Sequence, residues 1–81
     1  MTTTAARSLR VIAREIQQEW AEPYFGAVPY LAAMRSLETI GDSYGADDAR
    51  GVVAYFLANA GTWRGESARR IKAELRALLA K

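Results

Sequence analysis

The chain repeats apolar residues at helical spacing in four separate stretches, and no stretch shows the two-residue alternation of a half-buried strand. The first stretch carries the stripe Leu9, Ile12, Ala13, Ile16 and Trp20. Pro23 follows just past its end, where a helix cannot readily continue. This spacing predicts an all-α fold.

The second helix is predicted from about Val28 to Ile40. Pro29 suits its first turn, where a missing N–H costs nothing, and Gly41 can terminate it. Its stripe is Tyr30, Ala33, Met34, Leu37 and Ile40. The sequence DSYG at residues 42–45 then predicts a turn.

The third helix is predicted to begin near Asp47, a natural N-cap, with Asp48 in its first turn and Gly61 at its end. Its stripe is Ala49, Val52, Val53, Phe56 and Ala60. Thr62 is the predicted cap of the fourth helix. The fourth stripe is Ala68, Ile71, Leu75, Leu78 and Leu79.

These patterns predict a single domain over residues 1–81, a compact bundle of four short helices with short loops, preceded by a disordered tail at residues 1–5. The composition is that of a globular protein, since 51% of the residues are hydrophobic and 25% are charged. The chain has no cysteine to form a disulfide, which fits a reducing compartment. Its apolar runs are too short for a membrane span, and its N-terminus lacks the apolar region of a signal peptide. We therefore expect a cytoplasmic protein with no membrane partner.

Several kinds of chemistry lack the residues they need. Without histidine and cysteine, the commonest general base and the soft metal ligands are missing, and the serines have no evident base to activate them. Asp42, Asp47 and Asp48 lack the spacing of a calcium loop, so we interpret them as cap and turn residues. The glycines match neither a P-loop nor a dinucleotide fingerprint. The sequence therefore predicts a protein that is not an enzyme and needs no cofactor and no metal.

The charges of the first helix are arranged unfavourably for that helix alone. Its bases lie near the positive end of the helix dipole and its acids near the negative end, and like charges stand four residues apart at Arg10 and Arg14 and at Glu15 and Glu19. Either these charges pair with other helices, or they form the basic and acidic edges of a surface that binds a protein partner. The residues of that candidate surface are Arg7, Arg10, Val11, Arg14, Glu15, Glu19, Glu22, Tyr24 and Phe25.

The fourth helix carries a basic strip on one flank, formed by Arg69, Lys72 and Arg76. If helices 1 and 4 lie side by side, this strip and the arginines of helix 1 would form one phosphate-binding face. The candidate nucleic-acid-binding residues are Arg7, Arg10, Arg14, Arg69, Lys72 and Arg76. The fourth helix offers no asparagine or glutamine for base edges, so such binding is expected to be nonspecific.

Two further features leave alternatives open. We expect Trp20, Tyr24, Phe25 and Tyr30 to supply apolar area to the small core, and any ring left outside would be an anchor for a partner. Gly51 is either a tolerated glycine or part of a closely packed row with Ala54 and Ala58. That row would also provide a face for self-association into a homo-oligomer.

The stretches YFGAVPYLAAM at residues 24–34 and YFLANAGTWRGESARRIKAELRALL at residues 55–79 resemble small proteins encoded by tailed phages and prophages of actinobacteria. TWRGESARRIKAEL is the more specific part of this resemblance. The resemblance implies a phage-encoded protein made in the cytoplasm of the host, and it transfers no catalytic or binding residue. The expected function is a binding module for a host or phage protein, with nucleic-acid binding and self-association as the alternatives.

Overall fold

Within residues 7–45 and 47–80, which the computed structural model describes, the chain forms four α-helices as its apolar stripes predict. The expected disordered tail at residues 1–5 lies outside the described residues. The helices are α1 (Leu9–Glu19), α2 (Val28–Met34), α3 (Ala49–Ala58) and α4 (Glu66–Leu79). A 3-10 turn (Phe25–Ala27) precedes α2, and two short strands, β1 (Ser43–Tyr44) and β2 (Asp47–Asp48), precede α3. The prediction of an all-α fold is confirmed.

The free backbone N–H groups in the first turn of α1 find hydrogen-bond acceptors in two places. The Ser8 side chain accepts a hydrogen bond from the Val11 N–H at 3.2 Å, as an N-cap serine does. The first N–H groups of the helix, on Leu9 and Arg10, donate to the carbonyls of Glu38 and Leu37, each at 2.9 Å. The segment that follows α2 therefore supplies partners to free amides that a helix cannot satisfy by itself.

The prediction that the second helix continues to Ile40 is wrong, because α2 ends at Met34. After Arg35, the C-cap residue of α2, the next backbone N–H groups bond to carbonyls three residues back, as in a 3-10 turn, and not four back as in an α-helix. The carbonyls of Leu37 and Glu38 accept hydrogen bonds from the start of α1. The side chain of Asp42 closes this segment by accepting from the backbone N–H groups of Thr39 at 3.1 Å and Glu38 at 3.0 Å. These hydrogen bonds, led by that of Thr39, lower the pKa of Asp42.

A short antiparallel hairpin replaces the simple turn predicted at residues 42–45, so the sequence missed this pair of strands. Ser43 lies opposite Asp48, and Tyr44 lies opposite Asp47. Asp47 and Asp48 both belong to this ladder, but α3 begins at Ala49, so its N-cap is Asp48 and not Asp47 as predicted. The Asp48 Oδ1 atom accepts from the Gly51 N–H at 2.7 Å.

The predicted cap of the fourth helix is also wrong. Thr62 lies in an exposed turn, and α4 begins after Gly65. The turn is tight because the Trp63 N–H donates to the Ala60 carbonyl at 3.0 Å, which carries the Trp63 side chain into the core. The helix therefore begins only after this buried tryptophan.

Each helix packs against the next one along the chain, and α1 also packs against α4, so the helices surround one core. All stripe residues predicted to face the core are buried there, except Tyr30, Ile40 and Leu79, which are partly buried. Three aromatic rings pack together at one end of the core. The rings of Trp20 and Trp63 stack with their centroids 5.5 Å apart and an interplanar angle of 9°. The Phe56 ring meets the Trp20 ring edge-on, with the centroids 6.3 Å apart.

The row of small residues on α3 is not closely packed within the described part of the chain. Ala54 and Ala58 are exposed, and Gly51 is partly buried. A Cβ atom on Gly51 would lie 3.0 Å from Asp48 Oδ1, so the glycine leaves room for the cap of its own helix. Self-association through this row stays a prediction.

The assignment of the cap can be tested by paired substitutions. Asp48→Ala should lower the free energy of unfolding by ~1 kcal/mol, because the first turn of α3 loses its side-chain acceptor. Asp47→Ala is the matched control and should change it by less than ~0.5 kcal/mol. Urea unfolding followed by circular dichroism measures both values. A larger loss in the Asp47 variant would contradict the assignment.

Candidate functional site

The acidic edge of α1 faces α4, where most of its charges have partners. Glu15 accepts from the guanidinium of Arg7 at 2.7 Å and from that of Arg70 at 2.6 Å. Arg7 also binds both carboxylate oxygens of Glu74, at 2.6 and 2.9 Å. Glu19 accepts from the hydroxyl of Ser67 at 3.0 Å. The two acids of helix 1 that repel each other within the helix, Glu15 and Glu19, thus have partners outside the helix.

This network shifts the pKa values of its members in the expected directions. The hydrogen bonds from Arg70 and Arg7 lower the pKa of Glu15, because they stabilise its ionised form. The hydrogen bond to Glu74 is the main cause that raises the pKa of Arg7. Arg7 and Glu15 were predicted to contact a partner, and the structure uses both within the domain.

The rest of the predicted helix 1 surface is exposed. Arg10 donates to Glu38 at 3.0 Å, but both side chains are more than half exposed, so this pair is expected to be weak. Val11 is 42% exposed. Arg14 and Glu22 are exposed and make no ion pair with any residue in the described ranges. Val11, Arg14 and Glu22 are open to solvent.

Helices 1 and 4 do lie side by side, but the basic residues of the two helices do not form one face. α1 meets α4 through Glu15 and Glu74, and Arg7 is held between these carboxylates. Helical spacing puts Lys72 on the flank of α4 away from Glu74, where Lys72 donates to the Trp63 carbonyl at 2.7 Å. The sequence left open whether the two basic strips merge, and the structure places them on different sides of the helix pair.

The strip on α4 forms a basic cluster of its own. Lys72 and Arg69 share a groove with Arg64, a residue that the sequence did not single out. Burial lowers the pKa of Lys72, and the positive charges of Arg76 and Arg64 lower it further. Arg64, Arg69 and Arg76 are exposed and have no ion pair within the described residues.

An exposed apolar cluster follows α1, where the chain turns into α2. Phe25 is 79% exposed, and the centroid of its ring lies 4.8 Å from that of the Tyr24 ring. Val28, at the start of α2, is 46% exposed. We call these three residues the junction surface.

Tyr24 and Phe25 were expected in the core, and that expectation is wrong. Of the four aromatic residues of this region, Trp20 is buried and Tyr30 is partly buried.

Gly26 holds the junction surface in shape. A Cβ atom at this position would lie 2.7 Å from the Tyr24 ring and 2.7 Å from the side-chain oxygen of Asn59. Glycine therefore permits the Tyr24 ring and α3 to approach the 3-10 turn closely. The next residue, Ala27, is fully buried. The turn is packed on its inner side and presents Phe25 on its outer side.

Beside the junction surface lies a groove of about 330 Å³ between α1 and α2, which we call the α1–α2 groove. Val28 belongs to both features. The apolar lining of the groove comes from Trp20, Ala21, Pro23, Val28, Leu31 and Ala32. Gln17 and Arg35 supply its polar lining. The combination of an exposed ring, an apolar groove and a small polar rim is typical of protein-binding surfaces.

Part of this site has a signal in the sequence. At helical spacing Val28 falls opposite the stripe of Ala33, Met34 and Leu37, so a wheel of α2 would have indicated its exposure. No comparable signal exists for Phe25, because a residue in a turn has no periodic pattern. The groove depends on how α1 and α2 pack, which the sequence alone does not specify.

The chain matches no known protein family, no curated protein and no solved structure. In the described part of the chain, no helix combines the length and the apolar character that crossing a bilayer requires. Among the same residues, no group of three or more acidic, histidine or cysteine side chains is placed to hold a metal ion.

The ion pairs of Glu15 should make its contribution to the free energy of unfolding depend on pH. Because the folded-state pKa of Glu15 is lowered from its ordinary value of 4.5, its stabilising effect is present above pH 4.5 and is lost as the pH falls through the folded pKa. Glu15→Gln should therefore destabilise the protein by ~1 kcal/mol at pH 7 and much less in acid. Urea unfolding between pH 7 and pH 2.5 measures the difference. Glu22→Gln is the control and should show no such trend; a difference for Glu15→Gln that is constant with pH would contradict the prediction.

Proposed function

We propose that this protein is a non-enzymatic binding module that contacts a protein partner through the junction surface and the α1–α2 groove. One observation carries the proposal: Phe25 is 79% exposed although its turn is packed against the domain through the buried Ala27. Burying such a ring in an interface is worth about 1.5–3 kcal/mol. A soluble domain this small gains nothing from leaving it in water.

The packing behind Phe25 supports a role in recognition. Ala27 is buried and Gly26 is closely surrounded, so the turn has little freedom to lose when a partner binds. Binding surfaces that are organised in advance avoid part of the entropic cost of association. Aromatic side chains beside a pocket are also the residue type that most often dominates interface energetics.

The resemblance to small proteins of actinobacterial phages and prophages supports a biological setting for this function. In that setting the protein acts in the cytoplasm of the host cell, and its partner is a host or phage protein. The apolar lining of the groove favours a partner that inserts an apolar side chain, and Arg35 at the rim favours an acidic residue beside it.

Two matched valines provide the test. Val28→Ser and Phe25→Ser should each weaken partner binding at least tenfold, because each removes apolar area from the interface. Val11→Ser alters a valine of nearly equal exposure, 42% against 46%, on the outer side of α1 and should leave binding unchanged. The measurement is capture from actinobacterial lysate treated with nuclease, followed by titration of the captured protein. Equal capture by wild type and both junction variants would overturn the proposal.

A second candidate function rests on a different observation. Burial is the main cause that lowers the pKa of Lys72, and the positive charges of Arg76 and Arg64 lower it further, so positive charge accumulates on this flank of α4. Arg69 adds to it in the same groove. Such a cluster suits the phosphate backbone of a nucleic acid, bound without sequence preference.

Salt dependence distinguishes this candidate. The affinity for a fluorescent DNA duplex should fall with salt, with a slope of log K against log salt of about −3 if three to four phosphates are neutralised. The double variant Arg69→Gln with Arg76→Gln should reduce the magnitude of that slope by about 2. The control, Arg10→Gln with Arg14→Gln, removes two arginines from α1 and should leave the slope unchanged. Equal losses in the two double variants, or no binding at low salt, would exclude the α4 cluster as a nucleic-acid site.

A further inference from the structure

A second groove, of about 550 Å³, lies where α2 and α3 meet the short hairpin. It combines two tyrosines with two aspartates and a floor of small and apolar residues. The lining residues are Tyr30, Asp47, Asp48, Gly51, Val52 and Tyr55. None of them belongs to the junction surface, and none of them is basic, so this groove is a distinct and acidic feature.

The tyrosines form the aromatic wall of the groove. Their rings stack at 5.4 Å with an interplanar angle of 24°. Tyr30 is partly buried, whereas Tyr55 is 59% exposed. The side chain of Tyr55 thus covers that of Tyr30 and remains accessible to a ligand. An accessible tyrosine face attracts cations through the negative charge density of its ring.

The aspartates form the acidic wall. Both are exposed, and neither makes an ion pair with a residue in the described ranges. Asp48 uses its Oδ1 atom to cap α3, which holds its carboxylate in place. Arg50 follows closely along the chain, but its guanidinium donates to the Leu79 carbonyl at 2.8 Å, at the end of α4.

We propose that this groove binds an arginine side chain of a protein partner. A guanidinium is planar, so it can stack on the Tyr55 ring while its N–H groups donate to the carboxylates of Asp47 and Asp48. It is also more weakly hydrated than an ammonium, so it enters a partly apolar groove at lower cost. The groove is complementary to this group in charge and in chemistry. The assignment does not depend on the junction surface or on its partner.

Arginine itself is a suitable probe. The isotope-labelled full chain is titrated with N-acetyl-L-arginine N-methylamide at low salt and followed by two-dimensional NMR. Saturable shifts should concentrate at Asp47, Asp48, Gly51 and Tyr55. The matched citrulline compound has the same shape without the charge and should cause no saturable shift. The lysine compound should bind at least threefold more weakly than the arginine compound.

Two variants test the two walls separately. Tyr55→Leu retains apolar volume over Tyr30 but removes the ring, and it should weaken arginine binding about fivefold, the equivalent of a ~1 kcal/mol cation–π contact. Asp47→Asn should weaken it by a similar factor without touching the cap. The controls are Tyr24→Leu and Glu22→Gln, which alter an exposed ring and an exposed acid outside the groove.

The same titrations can overturn the assignment. Citrulline that binds as well as arginine, or shifts spread evenly over all acidic residues, would show that the groove does not select a guanidinium. Lysine that binds as tightly as arginine would also contradict it. Amide spectra of each variant confirm folding before titration, and unchanged affinity in both folded groove variants would remove this site.

Discussion

The stack of Trp20 on Trp63 determines how this small domain is closed at one end. Trp20 ends α1, and Trp63 lies in the connection between α3 and α4, so the contact joins distant parts of the chain. Phe56 adds an edge-on contact from α3. Aromatic pairs of this kind contribute ~0.5–1.5 kcal/mol beyond their buried area, which is a large share of the stability of a domain without disulfides. The two indole rings fill this end of the core, and the chain that leaves Trp20 continues over the surface.

This packing explains why the junction surface exists. The core already contains its large rings, and the 3-10 turn is anchored by Ala27 and not by Phe25. Phe25 therefore lies outside the core. The same arrangement leaves the space between α1 and α2 incompletely filled, which creates the groove beside Val28.

The charged residues divide into those that hold the domain together and those that remain available. Arg7 and Arg70 pair with Glu15, and Ser67 donates to Glu19, which offsets the repulsion between these two acids of the first helix. Because acidic groups occupy this contact, the basic cluster around Lys72 stays on a separate flank. The junction surface, the basic cluster and the second groove, which Tyr30, Tyr55, Asp47 and Asp48 line, consist of different residues.

Because apolar residues at helical spacing must share one buried face, the number of helices and almost all of the core could be predicted from the sequence. The boundaries were less accurate where backbone groups had other partners: the N–H groups of Glu38 and Thr39 donate to the Asp42 side chain and not to carbonyls of a longer α2. The pairing of Glu15 and the exposure of Phe25 follow from how the helices pack. Both outcomes depend on neighbours distant in the chain, and local periodicity carries no information about them.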